Sequence, residues 1–281
     1  MAGKLYLCAT PIGNLEDITY RVVRTLNEVD LIGAEDTRNS IKLLNHFDIK
    51  TPMTSYHEFN KYDKAKQLVE MMKEGKNIAI ITDAGTPGIS DPGEEVVRQC
   101  FEAGIQVTSL PGPAACITAL TMSGQKTRRF CFEAFLPKDK KEKVAVLEEL
   151  KNETRTMIFY EAPHKLNATL RDMLGAFGNR SIAIVRELTK IHEEVIRTTL
   201  EQAVERYSEA PLKGEIVLVI DGAKPVDNNK VYTEEEAADL AIALAAEEDV
   251  SLSEASKKAA KETGIKKGII YKLATERDEV K

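Results

Sequence analysis

The chain has 281 residues, 43% hydrophobic and 30% charged, with a formal net charge of -6. That balance describes a folded protein with a sizeable core; it excludes a long disordered chain, and it argues against a protein that coats nucleic acid through overall positive charge. The longest apolar run, Leu240 to Ala246, falls far short of the roughly 20 residues of a membrane span, and the start of the chain lacks the basic and apolar regions of an export signal, so a cytoplasmic location is expected.

Over the first 110 residues short β-branched runs alternate with amphipathic stretches, the pattern of βα units on a parallel sheet. Strands are predicted at Lys4 to Cys8, Leu31 to Ala34, near Met53, at Asn77 to Thr82 and at Gln106 to Leu110. Between them, Tyr62 to Glu74 shows the clearest helical period, with Ala65, Leu68, Val69 and Met72 on one face and Gly75 as the stop. A second αβ block follows, with strands predicted near Arg129 to Glu133, Arg155 to Tyr160, Ser181 to Arg186 and Glu215 to Asp221. The segment Gly222 to Lys230 has the composition of a linker. Beyond it, VSLSEASKKAAKETGIKKGIIYKLATE reads as a capped helix from Ser253, a turn at Gly264 and a second helix from Lys266. That spacing suits a helix-turn-helix, and equally a helical hairpin that only packs. The expected units are therefore an αβ domain at 1–111, a second at 112–222, a linker at 223–231 and a helical unit at 232–281.

In open parallel sheets ligands bind beyond the carboxyl ends of the strands. The loop after the fourth strand, Thr82 to Gly93, holds three Gly, two Pro and two Asp, more than a connector needs, and its small residues permit close backbone approach to a ligand. Thr10-Pro11-Ile12-Gly13-Asn14 follows the first strand, and Leu110 to Ala115 follows the fifth. None is a Walker A or GxGxxG motif, which leaves an adenosine-type ligand without phosphates as a candidate. Tyr160 to Lys165 and Arg186 to Lys190 bring charge to strand ends of the second block. The four cysteines and four histidines are scattered without ligand spacing, so no metal site is expected and the thiols are read as buried.

At these loops the sequence resembles the tetrapyrrole methylase superfamily and, within it, the ribosomal RNA small subunit methyltransferase I family. The resemblance is carried by ATPIGNLEDIT (9 to 19), GAEDTR (33 to 38), YHEFN (56 to 60), TDAGTPGISDPG (82 to 93), LPGPAA (110 to 115), FEAFLP (132 to 137), YEAPHK (160 to 165), RELTKIHEE (186 to 194) and GEIVLVI (214 to 220), and it spans nearly the whole chain. It implies an α/β fold of two αβ domains with S-adenosylmethionine in the cleft between them, a small C-terminal helical unit, and a homodimer. It also implies methylation of a cytidine 2′-hydroxyl in the decoding region of 16S rRNA within the small ribosomal subunit. By motif position, the resemblance assigns the first loop's ligand-facing turn to Pro11, where superfamily relatives often carry GxGPG; TPIGN agrees instead with the RNA-modifying branch. It assigns the amino-acid end of the cofactor to Asp83, Ala84, Gly85 and Ile89, with Ala114 and Ala115 nearby, and the adenosine side to Glu161, Ala162 and Leu188.

A ribose hydroxyl is a poor nucleophile and calls for a base. Glu35 and Asp36 follow the second strand and are the first candidates; Arg38, His57, Arg186 and Lys190 are candidates for clamping phosphate or orienting that pair. Lys126, Arg128, Arg129, Lys138, Lys140, Lys141 and Lys143 flank FEAFLP, and together with the basic tail they are expected RNA contacts. Two other readings share these features: a small-molecule methylase with the same cleft, and a DNA-binding regulator that reads with its helical tail.

Overall fold

A computed structural model describes residues 2–208, 212–224, 232–248 and 250–278. Its contacts divide the chain into two compact units, Met1–Lys224 and Pro225–Lys281.

The first half of unit 1 is a five-stranded parallel sheet of β1 (Lys4–Cys8), β2 (Leu31–Ala34), β3 (Met53–Ser55), β4 (Ile78–Ile81) and β5 (Gln106–Leu110), in the order β3-β2-β4-β1-β5. Both faces of this sheet are covered, which is why β4 reads Ile-Ala-Ile-Ile without polar alternation and is buried throughout. Leu5, Leu7, Ile78 and Ile80 face α3 (Lys61–Lys73) and α4 (Gly93–Glu102). Cys8, Ile32, Ala79 and Ile81 face α1 (Tyr20–Glu28) and α2 (Thr37–His46). The four positions predicted for the inner face of α3 are the four it buries.

The second half is a mixed sheet of β6 (Phe130–Phe135), β7 (Thr156–Glu161), β8 (Ser181–Arg186), β9 (Glu194–Thr199) and β10 (Ile216–Ile220), ordered β6-β7-β10-β8-β9. Only β6 and β7 run parallel; β10 lies antiparallel between β7 and β8. One face carries α6 (Lys140–Leu150), α7 (Leu166–Phe177) and α8 (Leu200–Arg206). The other packs α5 (Ala115–Ser123) and Ile12 of the first loop against Ile158, Ala183, Val185 and Val219. The sequence reading did not contain β9, whose apolar Val195 and Ile196 are adjacent rather than alternating and follow directly on a charged motif. Cys8, Cys100 and Cys116 are buried as expected, whereas Cys131 is half-buried.

Unit 2 comprises α9 (Glu234–Glu248), α10 (Leu252–Thr263) and α11 (Lys267–Asp278), closed around Ala237, Ala241, Ala259 and Ile270. The helix and turn expected here are present, but the cap is Ser251 rather than Ser253: its hydroxyl accepts from the Glu254 amide at 3.2 Å. Gly264 ends α10 in the left-handed conformation. Residues 225–231 of the expected linker lie outside the described residues. Among the described residues no helix is long and apolar enough to cross a membrane.

Candidate active site

The strand order puts β1 and β4 side by side, and their carboxyl-end loops are tied directly. Thr10 and Gly85 exchange two backbone hydrogen bonds of 2.9 and 3.0 Å, and the Thr10 hydroxyl donates to the Thr82 carbonyl at 3.0 Å. Gly85 takes φ +87°, a conformation open to glycine at little cost. Further along the same loop, the Asp91 carboxylate accepts from the amides of Gly88, Ile89 and Gly93 at 2.7 to 3.1 Å. Buried Tyr56, from the end of β3, donates its hydroxyl to the Pro92 carbonyl at 2.8 Å and accepts from the Val96 amide at 3.1 Å. A loop of Gly and Pro is thereby held in one shape.

Opposite this loop stands the end of the second sheet where β7 and β8 finish and β10 begins, with Ile216 paired to both Glu161 and Arg186. The two edges enclose a cavity of about 760 Å³. Ala84, Gly85, Ala114, Ala115 and Ala162 leave the space open, and Ile12, Ile89, Leu188, Val185 and Val217 make much of the wall apolar. An aromatic wall of Phe130, Phe132, Phe135 and Tyr160 completes it. Regular alternation would send Phe135 to the face away from Phe132. A β-bulge between Phe132 and Ala134, with Ala134 at φ +53°, shifts the register by one, so Phe132 and Phe135 both meet the Tyr160 ring, at 4.9 and 5.6 Å between centroids.

Five acids line this cavity, Glu35, Asp83, Asp91, Glu161 and Glu215, of which Asp91 is spent on the turn just described. Glu35 accepts from the Thr82 hydroxyl at 2.5 Å and the Asp83 amide at 3.3 Å, both through Oε2. For Asp83, burial pushes the carboxyl above its ordinary range and the nearby Glu35 and Asp36 charges add to the rise, against a hydrogen bond from Asn39. Glu161 is buried, accepting from the Thr169 hydroxyl at 2.5 Å and its neighbour's amide at 2.7 Å.

Asp36 is differently engaged. It caps α2 through the Arg38 amide at 2.8 Å and pairs with the Arg38 guanidinium through both oxygens, which holds its carboxyl down at about 2. Neither Asp36 nor Arg38 lines the cavity. Pro11 and Lys190 line a second, smaller cavity of about 330 Å³ that adjoins the first. Lys190 donates to Glu187 and Glu215, both at 3.0 Å; burial opposes its charge, but these bonds outweigh it and raise the ammonium above its ordinary value. His57 and Arg186 line neither cavity, and Arg186 pairs with Glu194 across β8 and β9 at 3.1 Å.

At Gly13 the two halves meet closely. A Cβ added to Gly13 would lie 2.7 Å from the Thr189 hydroxyl and 2.9 Å from the Leu188 carbonyl, so the first loop meets the loop after β8 backbone to backbone.

Residues 4–204 match the family model described as Tetrapyrrole (Corrin/Porphyrin) Methylases, which covers well over half of the chain. The chain belongs to the tetrapyrrole methylase family. It is similar to the Ribosomal RNA small subunit methyltransferase I of Halalkalibacterium halodurans, 48% identical over 95% of this chain and 91% of that one. A protein of the same name from Synechocystis is 48% identical over 98% of both chains. Another, from Thermotoga maritima, is 46% identical and is matched over 99% of its own length by only 78% of this chain. In fold, this methylase resembles the uroporphyrin-III C-methyltransferase of Thermus thermophilus complexed with S-adenyl homocysteine, at 16% identity and TM-score 0.56 over 78% of this chain and 97% of that one.

Ten of the expected site residues, Glu35, Asp83, Ala84, Gly85, Ile89, Ala114, Ala115, Glu161, Ala162 and Leu188, are brought to this one cavity. The aromatic wall was not among the expected residues. FEAFLP and YEAPHK advertise the aromatics, but the bulge that aligns them leaves no mark in the alternation.

Proposed function

We propose that this methylase transfers the methyl group of S-adenosylmethionine to the 2′-hydroxyl of a cytidine in the decoding region of 16S rRNA, on the small ribosomal subunit in the cytoplasm. The observation that carries the reading is the half-open cavity with an apolar wall and an acidic rim, in a chain nearly half identical to proteins named as rRNA small subunit methyltransferases.

The residues present fit the cofactor. Small side chains at Ala84, Gly85, Ala114 and Ala115 leave room for its amino-acid end, where Asp83 supplies a carboxylate for a cationic amine. The apolar wall with Glu161, Ala162 and Leu188 suits a nucleoside, its rings against aliphatic side chains and its hydroxyls toward a buried carboxylate. When bound, the cofactor supplies a methyl group on a positively charged sulfur. The protein's part is to align the ribose oxygen with that methyl and to accept the proton the hydroxyl loses.

Glu35 is the proposed base, because its carboxylate lines the cavity and one of its oxygens already holds Thr82 and Asp83 in place. Asp36 and Arg38 are proposed to hold the start of α2 beside it, and Lys190 to meet the RNA. The enzyme is proposed to work as a homodimer, a point that sedimentation equilibrium of the purified chain tests directly.

The deciding experiment incubates the protein and labelled S-adenosylmethionine with small subunits from cells lacking this gene, alongside naked 16S rRNA, and maps the label by nuclease digestion. Label on one cytidine ribose in assembled subunits is expected. Cofactor binding without RNA labelling would overturn the assignment and point to a small-molecule acceptor.

A further inference from the structure

The smaller cavity shares Ile12, Thr82, Asp83, Ala84 and Glu215 with the larger one, so the two are separated by a common wall. Thr82 and Asp83 in that wall are the residues that bind Glu35. A volume of about 330 Å³ suits one nucleoside and excludes a stacked pair. Unlike its neighbour, this cavity is ringed by polar side chains: Asn39, Ser40 and Lys42 from α2 on one side, Lys190 and Glu215 on the other.

We infer that the second cavity receives the target nucleotide swung out of the RNA, and that the Lys190 and Glu215 pair reads its base as cytosine. The inference rests on the ribose methylation proposed above.

The argument is one of valence. A lysine ammonium has three N–H donors. Lys190 uses two of them, on Glu187 Oε1 and Glu215 Oε2, and keeps a third for a ligand. Glu215 holds Lys190 with Oε2 alone, and its side chain is 76% exposed, so Oε1 is open to accept. The cavity therefore presents a donor beside an acceptor. The pairing edge of cytosine offers the complement, an amino group next to ring acceptors; carboxylates commonly accept from that amine. Uracil carries a carbonyl oxygen in place of that amine and can donate to the carboxylate only through its N3–H, with the ring shifted along the pair, so a base held in one position in the cavity is read as cytosine.

The backbone beneath the pair is also fixed. The Glu187 amide donates to the Glu215 carbonyl at 3.0 Å and the Glu215 amide to Glu187 Oε1 at 2.9 Å, so both partners of Lys190 are fixed to one another. Lys42 is exposed at the cavity and makes no ion pair among the described residues, which leaves it for a flanking phosphate.

The test titrates the full chain, saturated with S-adenosylhomocysteine, with cytidine 5′-monophosphate and uridine 5′-monophosphate in a calorimeter. Glu215→Gln and Lys190→Met are treated likewise. In parallel, methyl transfer is measured into small subunits carrying cytidine or uridine at the labelled position. The unmodified protein is expected to favour cytidine by about tenfold or more in both assays, and each variant to bring that ratio within about threefold. The ratio is the readout because Glu215 also borders the larger cavity. An unchanged ratio in variants that still bind S-adenosylhomocysteine would overturn the inference while leaving ribose methylation intact. If the unmodified protein binds S-adenosylhomocysteine yet labels neither RNA, ribose methylation fails and this inference with it.

Discussion

Glu35 and Asp36 are neighbours with the same functional group and opposite prospects. Asp36 spends both oxygens on Arg38 and sits near 2, too weak a base for a hydroxyl proton, whereas Glu35 faces the cavity with one oxygen engaged. Glu35→Gln is expected to lower kcat by about 10² to 10⁴ with S-adenosylhomocysteine affinity within a few-fold. Asp36→Ala is expected to act on folding, lowering stability by about 0.5–2 kcal/mol through the lost cap, as read by urea unfolding. The pair was legible in the sequence as an acidic strand end, but which acid was free was not, because a helix cap and a catalytic carboxylate use the same residue type at the same place. A second pairing of this kind has a pH signature. Hydrogen bonds from the Arg155 side chain and amide hold Glu153 from the ordinary 4.5 down to about 2. Since the folded value is depressed, the stabilisation is full above the ordinary value and is lost as pH falls toward about 2. Glu153→Gln should therefore be less stable than the unmodified chain at pH 7, with the difference vanishing near pH 2 in thermal melts.

At the scale of elements, β1, β2 and β5 were predicted to the residue: β2 because a buried parallel strand leaves an unbroken apolar run, and the edge strand β5, Gln-Val-Thr-Ser-Leu, because Gly104 and Pro111 bound it. The second sheet was less transparent. Its β9 is an edge strand with polar outward positions, and the side-chain directions of β6 depend on a bulge whose Ala134 has no special identity in sequence. The loop between β4 and α4 was read as a ligand loop from its composition. What holds it could not be read, because the anchor is Tyr56, 36 residues before the Pro92 carbonyl it binds. Tyr56→Phe removes two buried hydrogen bonds and is expected to cost about 1–3 kcal/mol in denaturant unfolding. It should also weaken S-adenosylhomocysteine binding, since the Asp91 turn rests on the same anchor.

At the scale of the molecule, the relative from Thermotoga maritima is matched along 99% of its length by 220 residues, about the length of unit 1. A chain cut after Lys224 is accordingly expected to fold and to bind S-adenosylhomocysteine within about twofold of the whole. If the lysines of α10 and α11 meet phosphate, the cut chain should show a higher KM for small subunits and a shallower dependence on salt. Stopped-assay kinetics at two salt concentrations measure both. The division after Lys224 falls in the polar stretch at Gly222 to Lys230, whereas the approach of residue 13 to residues 188–190 has no local mark in the sequence, being a contact so distant along the chain.

That contact bears on motion. With Gly13 already against the facing loop, the two sheets cannot draw closer there, and any breathing of the cleft is expected to be smallest beside this contact. Cofactor exchange would then be timed by parts of the cleft away from Gly13, and the residues setting its rate would be ones that touch neither the methyl group nor the RNA.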